Sequence, residues 1–321
     1  MQALSFPEYG RVEITEIPRP ALRDPGDAIV LVTTAAIGPW DVEWFLSVSE
    51  TNVVPGGEFA GLVVETGSAV STVDLDDLVA NTTQHSSAQG RDSLFGSITL
   101  PGGHAEYVRV PNADMTLTKI SESVEERAVI AGGTIGLGVN ASALATSIAP
   151  SGTYAVAGCD PIGMTALIAL SNAGAVDRLL AVENHAARRT LASQFSKASL
   201  TGDQISKNQR FDAVIVGAIR EYPGFDVVSK LLKPDGTLIF CEPYGSERVK
   251  DSGTVIPDAL KVASASWPTN KEAQKIITAL QIRRLDLTPL VSHVIPLDQA
   301  QEAYEAATGP SAGVQKVLLK P

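Results

Sequence analysis

The sequence predicts an α/β protein built from a barrel-like all-β domain and a doubly wound parallel sheet. Three observations carry that expectation. The 321 residues exceed what one hydrophobic core usually serves, so two domains are expected. The first third alternates short apolar runs with Pro, Gly and other turn residues, an all-β pattern. From about Ser121 onward strands alternate with helices, and the strands are almost continuously apolar, as in a parallel sheet covered on both faces.

The elements follow in order. "MQALSFPEYGRVEITE" reads as a strand, a turn at Glu8-Tyr9-Gly10 and a second strand. It lacks a charged segment followed by an apolar one, so it does not read as a signal peptide. "DAIVLVTTAAIG" (Asp27–Gly38), "FAGLVVETG" (Phe59–Gly67) and "HAEYVRVP" (His104–Pro111) are strands rich in β-branched residues. The polar segment Asn81–Ser97 reads as a surface loop. "SESVEERAVI" carries a Ser-x-x-Glu capping-box signal that opens a helix. "GTYAVAG" (Gly152–Gly158) is a buried strand, "PIGMTALIALSNAG" (Pro161–Gly174) a helix, "RLLAVE" (Arg178–Glu183) a strand and "HAARRTLASQF" (His185–Phe195) a helix. "FDAVIVG" (Phe211–Gly217), "DGTLIFCEP" (Asp235–Pro243) and "ALKVASASW" (Ala259–Trp267) are strands, and "KEAQKIITALQIRR" is a helix. The tail returns to strand, turn and helix and ends on "VQKVLLKP".

Composition removes several classes of function. The net charge of −11, from 36 acidic and 25 basic residues, argues against nucleic acid as a partner. No apolar run is long enough to cross a bilayer, so no membrane partner is expected. The two cysteines, Cys159 and Cys241, are too few for a disulfide framework or a Cys₄ zinc site, and a reducing cytoplasm is the expected compartment. Cys159 reads as a small buried filler.

"AVAGCDPIG" sits where a strand feeds a helix. A dinucleotide fingerprint there reads Gly-x-Gly-x-x-Gly, and this chain has Gly158-Cys159-Asp160-Pro161-Ile162-Gly163. The middle glycine, which lets backbone approach a pyrophosphate, is Asp160. Asp160 is a good helix N-cap with Pro161 at the first helical position. Its carboxylate satisfies amides that a phosphate would otherwise use. It also repels a diphosphate, at ~4 Å by about 1 kcal/mol in water and about 4 kcal/mol at an effective dielectric near 20. Two readings stay open: cofactor binding retained with Asp160 turned away, or cofactor binding lost. Glu183 ends the next strand about twenty residues on, where an acid holds a ribose hydroxyl; its plain reading is a solvated strand-end acid.

"IPRPALRDPGDAIVLVTTAAIG", "PGGEFAGLVVETGSAV", "PGGHAEYVRVP", "VAGCDPIGM" and "LVSHVIPLDQAQEAYEAA" resemble the medium-chain dehydrogenase/reductase superfamily, over essentially the whole chain. The nearest likeness is to the zinc alcohol and polyol dehydrogenase branches. The resemblance implies a GroES-like β-barrel domain plus a doubly wound Rossmann domain: residues 1–122 catalytic, 123–285 cofactor-binding, and 286–321 a return segment completing the first. It implies hydride transfer with NAD(H) or NADP(H), a small-molecule substrate and a homodimer. The implied cofactor-binding residues are Gly158, Asp160, Pro161, Ile162, Gly163, Glu183, Asn184, Arg188 and Gly217. Glu183 leans toward NAD(H), because an acid repels a 2′-phosphate.

The departures are informative. Gly38 stands where zinc members have a ligand Cys, Trp40 where the proton relay begins, and Gly57 where they have a ligand His. "AGGT" (Ala131–Thr134) offers no third ligand. Only Glu58 survives, so zinc is not expected. The metal-free quinone and enoyl reductases are the better model: Gly38-Pro39-Trp40-Asp41 resembles their Asn-Pro-x-Asp, and Pro55-Gly56-Gly57-Glu58 their Pro-Gly-x-Asp/Glu. Without zinc an unactivated ketone is hard to polarise, so a small carbonyl, a quinone or an activated alkene is the expected substrate. The alternative is a dehydrogenase-like protein that has lost redox activity. Candidate catalytic residues are Asp41, Glu43, Glu58, Trp40 and His85. Their plain readings are a cap for a helix through Glu43–Ser47, a surface acid, an ion-pair partner (Lys316 being the candidate cation), a pocket wall and a loop histidine. His104 reads as packing.

Overall fold

The structure is a computed structural model that describes residues 1–47, 53–83, 94–206, 208–217, 224–241, 260–308 and 313–321. The chain divides into two compact units, Met1–Gly133 with Pro268–Pro321, and Thr134–Trp267. The sequence places these divisions at 122/123 and 285/286.

The first unit is a mixed but mostly antiparallel β structure. A hairpin joins β1 (Gln2–Glu8) to β2 (Arg11–Glu16) around the expected turn. A seven-stranded sheet holds β3 (Ala28–Ala36), β4 (Glu58–Thr66), β5 (Leu78–Asn81), β6 (Tyr107–Val110), β7 (Leu117–Lys119), β14 (Val291–Pro296) and β15 (Lys316–Lys320). Its order is β14-β15-β3-β4-β5-β7, with β6 also on β3. β3 is nearly all apolar or small because it is paired on both sides, and Val30, Val32 and Ala35 enter a core with Leu4, Phe6, Phe59 and Phe95. The Tyr304 ring lies between Phe6 and Phe45, at centroid distances of 5.3 and 5.1 Å.

Three expectations for this unit need correction. The segment 81–97 is not surface loop at its ends: Asn81 and Phe95 are buried, while 84–93 lies outside the described residues. The "SESVEERAVI" stretch opens as a 3-10 turn at Glu122–Val124 with Ser121 before it, and no side-chain cap bond forms. The Asn270–Gln281 helix packs with the first unit, since its buried face of Ala273, Ile276, Ile277 and Leu280 meets β7 and the Glu122–Val124 turn. It starts at a capping box the eye passes over, in which Thr269 and Glu272 exchange side-chain to backbone bonds of 2.8 and 3.3 Å.

One loop clamp carries a pH prediction. Asp114 accepts bonds from the amides and hydroxyls of Ser71 and Thr72, at 2.7 to 3.0 Å for the best of each. Partial burial opposes its ionisation, but the Ser71 and Thr72 bonds outweigh it and hold its carboxyl down to about 2. A folded value below the unfolded one gives stability that is complete above an unfolded pKa of about 4 and lost as pH falls toward 2. Asp114→Asn is therefore expected to lower the melting temperature at pH 7, with the difference from wild type closing in acid. A constant difference down to pH 2 would contradict this.

The second unit is a six-stranded parallel sheet of β8 (Tyr154–Ala157), β9 (Leu179–Val182), β10 (Ala198–Leu200), β11 (Phe211–Val216), β12 (Leu232–Phe240) and β13 (Lys261–Ser264). Its order is β10-β9-β8-β11-β12-β13, so the winding direction reverses between β8 and β11. Every residue of β8 and β9 is buried, which explains their unbroken apolar runs. The helices Pro161–Leu170 and Ala186–Ala192 follow β8 and β9. The second is shorter than the expected His185–Phe195. Among the described residues, no single helix is long and apolar enough to cross a membrane.

Candidate functional site

In the first unit the candidate residues gather where β3 ends. Strand register decides which side chains meet there. Ala36 of β3 lies opposite Glu58 on β4 and opposite Leu318 on β15, and the amide of Ile37 donates to the Val317 carbonyl at 3.0 Å. Glu58 and Lys316 therefore arrive from the two strands flanking β3. The Lys316 ammonium stands 2.5 Å from a Glu58 carboxylate oxygen, with side-chain exposures of 2% and 4%. Charges buried this deeply are costly unless paired, and here each lies against the other. Gly38, next in the chain, opens toward it. A Cβ on Gly38 would lie 3.2 Å from Asp41 Oδ2, 3.8 Å from Glu58 Oε2 and 4.0 Å from Lys316 Nζ. The position that the resemblance gives to a metal-binding thiol thus faces an ammonium ion.

Asp41 is not the cap of a helix through Glu43–Ser47. The helix is Pro39–Phe45, with Gly38 as N-cap and Asp41 in its first turn. Proline at the first helical position, where no amide is needed, starts it earlier. Asp41 is buried, and its two oxygens accept from the amides of Gly38 and Gly56, each at 2.8 Å. It thereby joins the β3 end to the turn before β4. Gly56 has φ +107°, and a Cβ there would approach the His104 amide to 2.5 Å, so only glycine fits.

His104 is more than packing. Its Nε2 faces the Ala36 carbonyl at 3.2 Å and its Nδ1 the Tyr304 hydroxyl at 2.8 Å. A carbonyl only accepts, so Nε2 carries the hydrogen and Tyr304 donates to Nδ1. Burial holds the His104 pKa below the usual imidazole range, against the opposing pull of Asp41. Burial, then Asp41, pushes the Tyr304 phenol well up. Both stay neutral, and the pair is a structural tie. Asn81, which sequence reading passes over within a polar segment, donates its side-chain amide to the Gly57 carbonyl at 2.9 Å. Trp40 is half-buried, Glu43 exposed and Phe45 buried in the core; His85 lies outside the described residues. No group of three or more His, Cys, Asp or Glu among the described residues is placed to hold a metal ion.

In the second unit the turn after β8 lies at the switch point of the sheet. Gly158 adopts φ +83°, and Asp160 caps the Pro161–Leu170 helix. The Asp160 carboxylate accepts from the amides of Gly163 at 3.1 Å and Ile162 at 3.4 Å. Glu183 is not a solvated strand-end acid. It is buried, with one oxygen accepting from the Cys159 amide at 2.7 Å and the other from the His185 amide at 2.8 Å. Arg188 is buried, Asn184 is exposed, and Arg189 donates to the Glu183 and Asn184 carbonyls at 2.9 Å. Burial, then the Glu183 and Asp160 carboxylates, push the Cys159 thiol well up, which keeps it an unreactive filler. Gly217 follows β11, and a Cβ on it would strike the Asp160 carboxylate.

A nicotinamide dinucleotide, as the resemblance implies, fits one half of this turn. Each Glu183 oxygen keeps a lone pair for a ribose hydroxyl after taking one amide. In the diphosphate half the Asp160 carboxylate already holds the Ile162 and Gly163 amides, so a diphosphate there must displace it or lie against its charge.

Residues 24–122 match the family model of the alcohol dehydrogenase GroES-like domain. Zinc-type alcohol dehydrogenase B of Aspergillus flavus is 30% identical, in an alignment covering 100% of this chain and 81% of that protein. Among solved structures, alcohol dehydrogenase TADH from Thermus sp. ATN1 superposes with a TM-score of 0.80 at 23% identity, over 100% of this chain and 99% of the other. The short chain alcohol dehydrogenase rspB of E. coli CFT073, complexed with NADH, gives 0.79 at 19% identity, over 100% and 99%. The two structural likenesses are likenesses of fold.

Proposed function

Because this chain belongs to the medium-chain dehydrogenase/reductase superfamily, we propose that it is a zinc-independent oxidoreductase acting on a small carbonyl, quinone or activated alkene. The observation that carries the zinc-independent part is the donor set: glycine stands at 38 and 57, and Glu58 is already bound to Lys316. Glu58 is already neutralised. A single carboxylate already held by an ammonium falls short of the three or four ligands that zinc takes. With no Lewis acid to polarise a carbonyl, conjugated and quinoid acceptors are the substrates that need the least help. The superfamily relatives named as dehydrogenases support the redox assignment. Glu183 favours NAD(H) over NADP(H), since a buried carboxylate repels a 2′-phosphate.

The test is metal analysis beside a turnover panel. Purified protein is expected to hold far less than one zinc per chain. It is expected to oxidise NADH with quinones and enones in the presence of chelator, and not with simple ketones. One tightly held zinc per chain, with chelator-sensitive turnover, would overturn the proposal. A second reading, a superfamily member without redox activity, is favoured by one observation, the Asp160 carboxylate on the Ile162 and Gly163 amides. Failure to oxidise NADH or NADPH with any acceptor would select it.

A further inference from the structure

Apart from that of Asp160 itself, the amides of the turn after β8 are engaged as follows. Gly158 donates to the Val182 carbonyl at 2.9 Å, and Cys159 to Glu183. Pro161 has no N–H, and Ile162 and Gly163 donate to Asp160. In a phosphate-binding turn the amides at the helix N-terminus would face the ligand. Here the chain's own carboxylates have taken those of residues 159, 162 and 163. The arrangement is built rather than incidental. Asp160 is 2% exposed, and its Oδ1 lies 3.2 Å from where a Cβ on Gly163 would stand. A Cβ on Gly217 would also collide with it. Gly217 therefore leaves the room in which this carboxylate sits.

We infer that Asp160 is a built-in anion occupying the diphosphate position, and that it sets the affinity of the second unit for dinucleotides. The inference rests on the cofactor reading above. A dinucleotide must displace Asp160 from the Ile162 and Gly163 amides or lie against its charge. Charge repulsion of the size expected at ~4 Å weakens binding by roughly tenfold to a thousandfold. A ligand with the adenine and ribose but no diphosphate escapes this penalty. Asp160 thus discriminates by the presence of the diphosphate rather than by the base.

The test is titration of wild type, Asp160→Asn and Asp160→Gly with NADH, ADP-ribose and adenosine, read by fluorescence or by thermal shift. Circular dichroism confirms that each variant is folded. Asp160→Asn keeps a capping oxygen and removes the charge, so it separates repulsion from loss of the cap. NADH and ADP-ribose are expected to bind both variants at least tenfold more tightly than wild type, with adenosine unchanged across the three. Equal NADH affinity in all three proteins overturns the inference and leaves the cofactor reading standing. A gain for adenosine as large as that for NADH also overturns it. No response to NADH or ADP-ribose by any of the three overturns both the inference and the cofactor reading.

Discussion

Replacing Lys316 with alanine is expected to cost the protein about 3–5 kcal/mol, the usual loss when one partner of a buried ion pair is removed. The reason is Glu58. Its side chain is 4% exposed, so without the ammonium its charge is left in a poorly solvated position beside Gly38. Urea unfolding would show the loss as a lower midpoint at an unchanged slope. Glu58→Gln is expected to lower stability while leaving turnover in place, which separates an ion-pair role from that of a catalytic acid. Replacing both by apolar residues of similar size, as in Lys316→Met with Glu58→Leu, is expected to recover most of the loss, because neither charge is then stranded. A Lys316→Ala protein of wild-type stability would show that the pair contributes nothing.

Asp41→Ala is expected to come next, at about 3–5 kcal/mol. Hydrogen bonds to a charged acceptor contribute roughly 1.5–3 kcal/mol each, and Asp41 accepts two from buried amides at 2.8 Å. Removing it strands the Gly38 and Gly56 amides and frees the β3 end from the turn before β4. Asp41→Asn keeps one carbonyl oxygen for one of the two amides, so a smaller loss is expected. Since Gly38 borders both Asp41 and the ion pair, Asp41→Ala and Lys316→Ala are expected not to add. Unfolding of the two single variants and the double variant measures that coupling. Strict additivity would show the two groups to be independent.

Where residues a few positions apart decide the outcome, the sequence was legible. The Asp160-Pro161 helix start is a cap and a proline side by side, and the structure forms it as those residues require. The buried strands β8, β9 and β11 follow from almost continuous apolar runs between turn residues. The loss of side-chain donors at Gly38 and Gly57 is likewise visible as letters. Local rules erred where a longer-range contact competed. Asp41 looked like a cap for the residues after it, but its second oxygen is claimed by Gly56. Asn81 looked like loop, but it ends a paired strand and holds the Gly57 carbonyl. For Glu183, the alternative of a solvated strand-end acid falls, because two amides of the adjoining turns enclose it.

The alternation of strand and helix, the Asp160-Pro161 helix start and the missing metal-site side chains were therefore determined by the sequence alone, because propensity, capping and residue chemistry act over one or two turns of chain. The Lys316–Glu58 pair was expected from the sequence through the family resemblance, and the tertiary structure forms it and supplies the reason: strand register brings β4 and β15 to the same point at the close of β3. Only the tertiary structure decided that room for the Asp160 carboxylate comes from Gly217, which follows the strand paired with β8 across the switch point of the sheet.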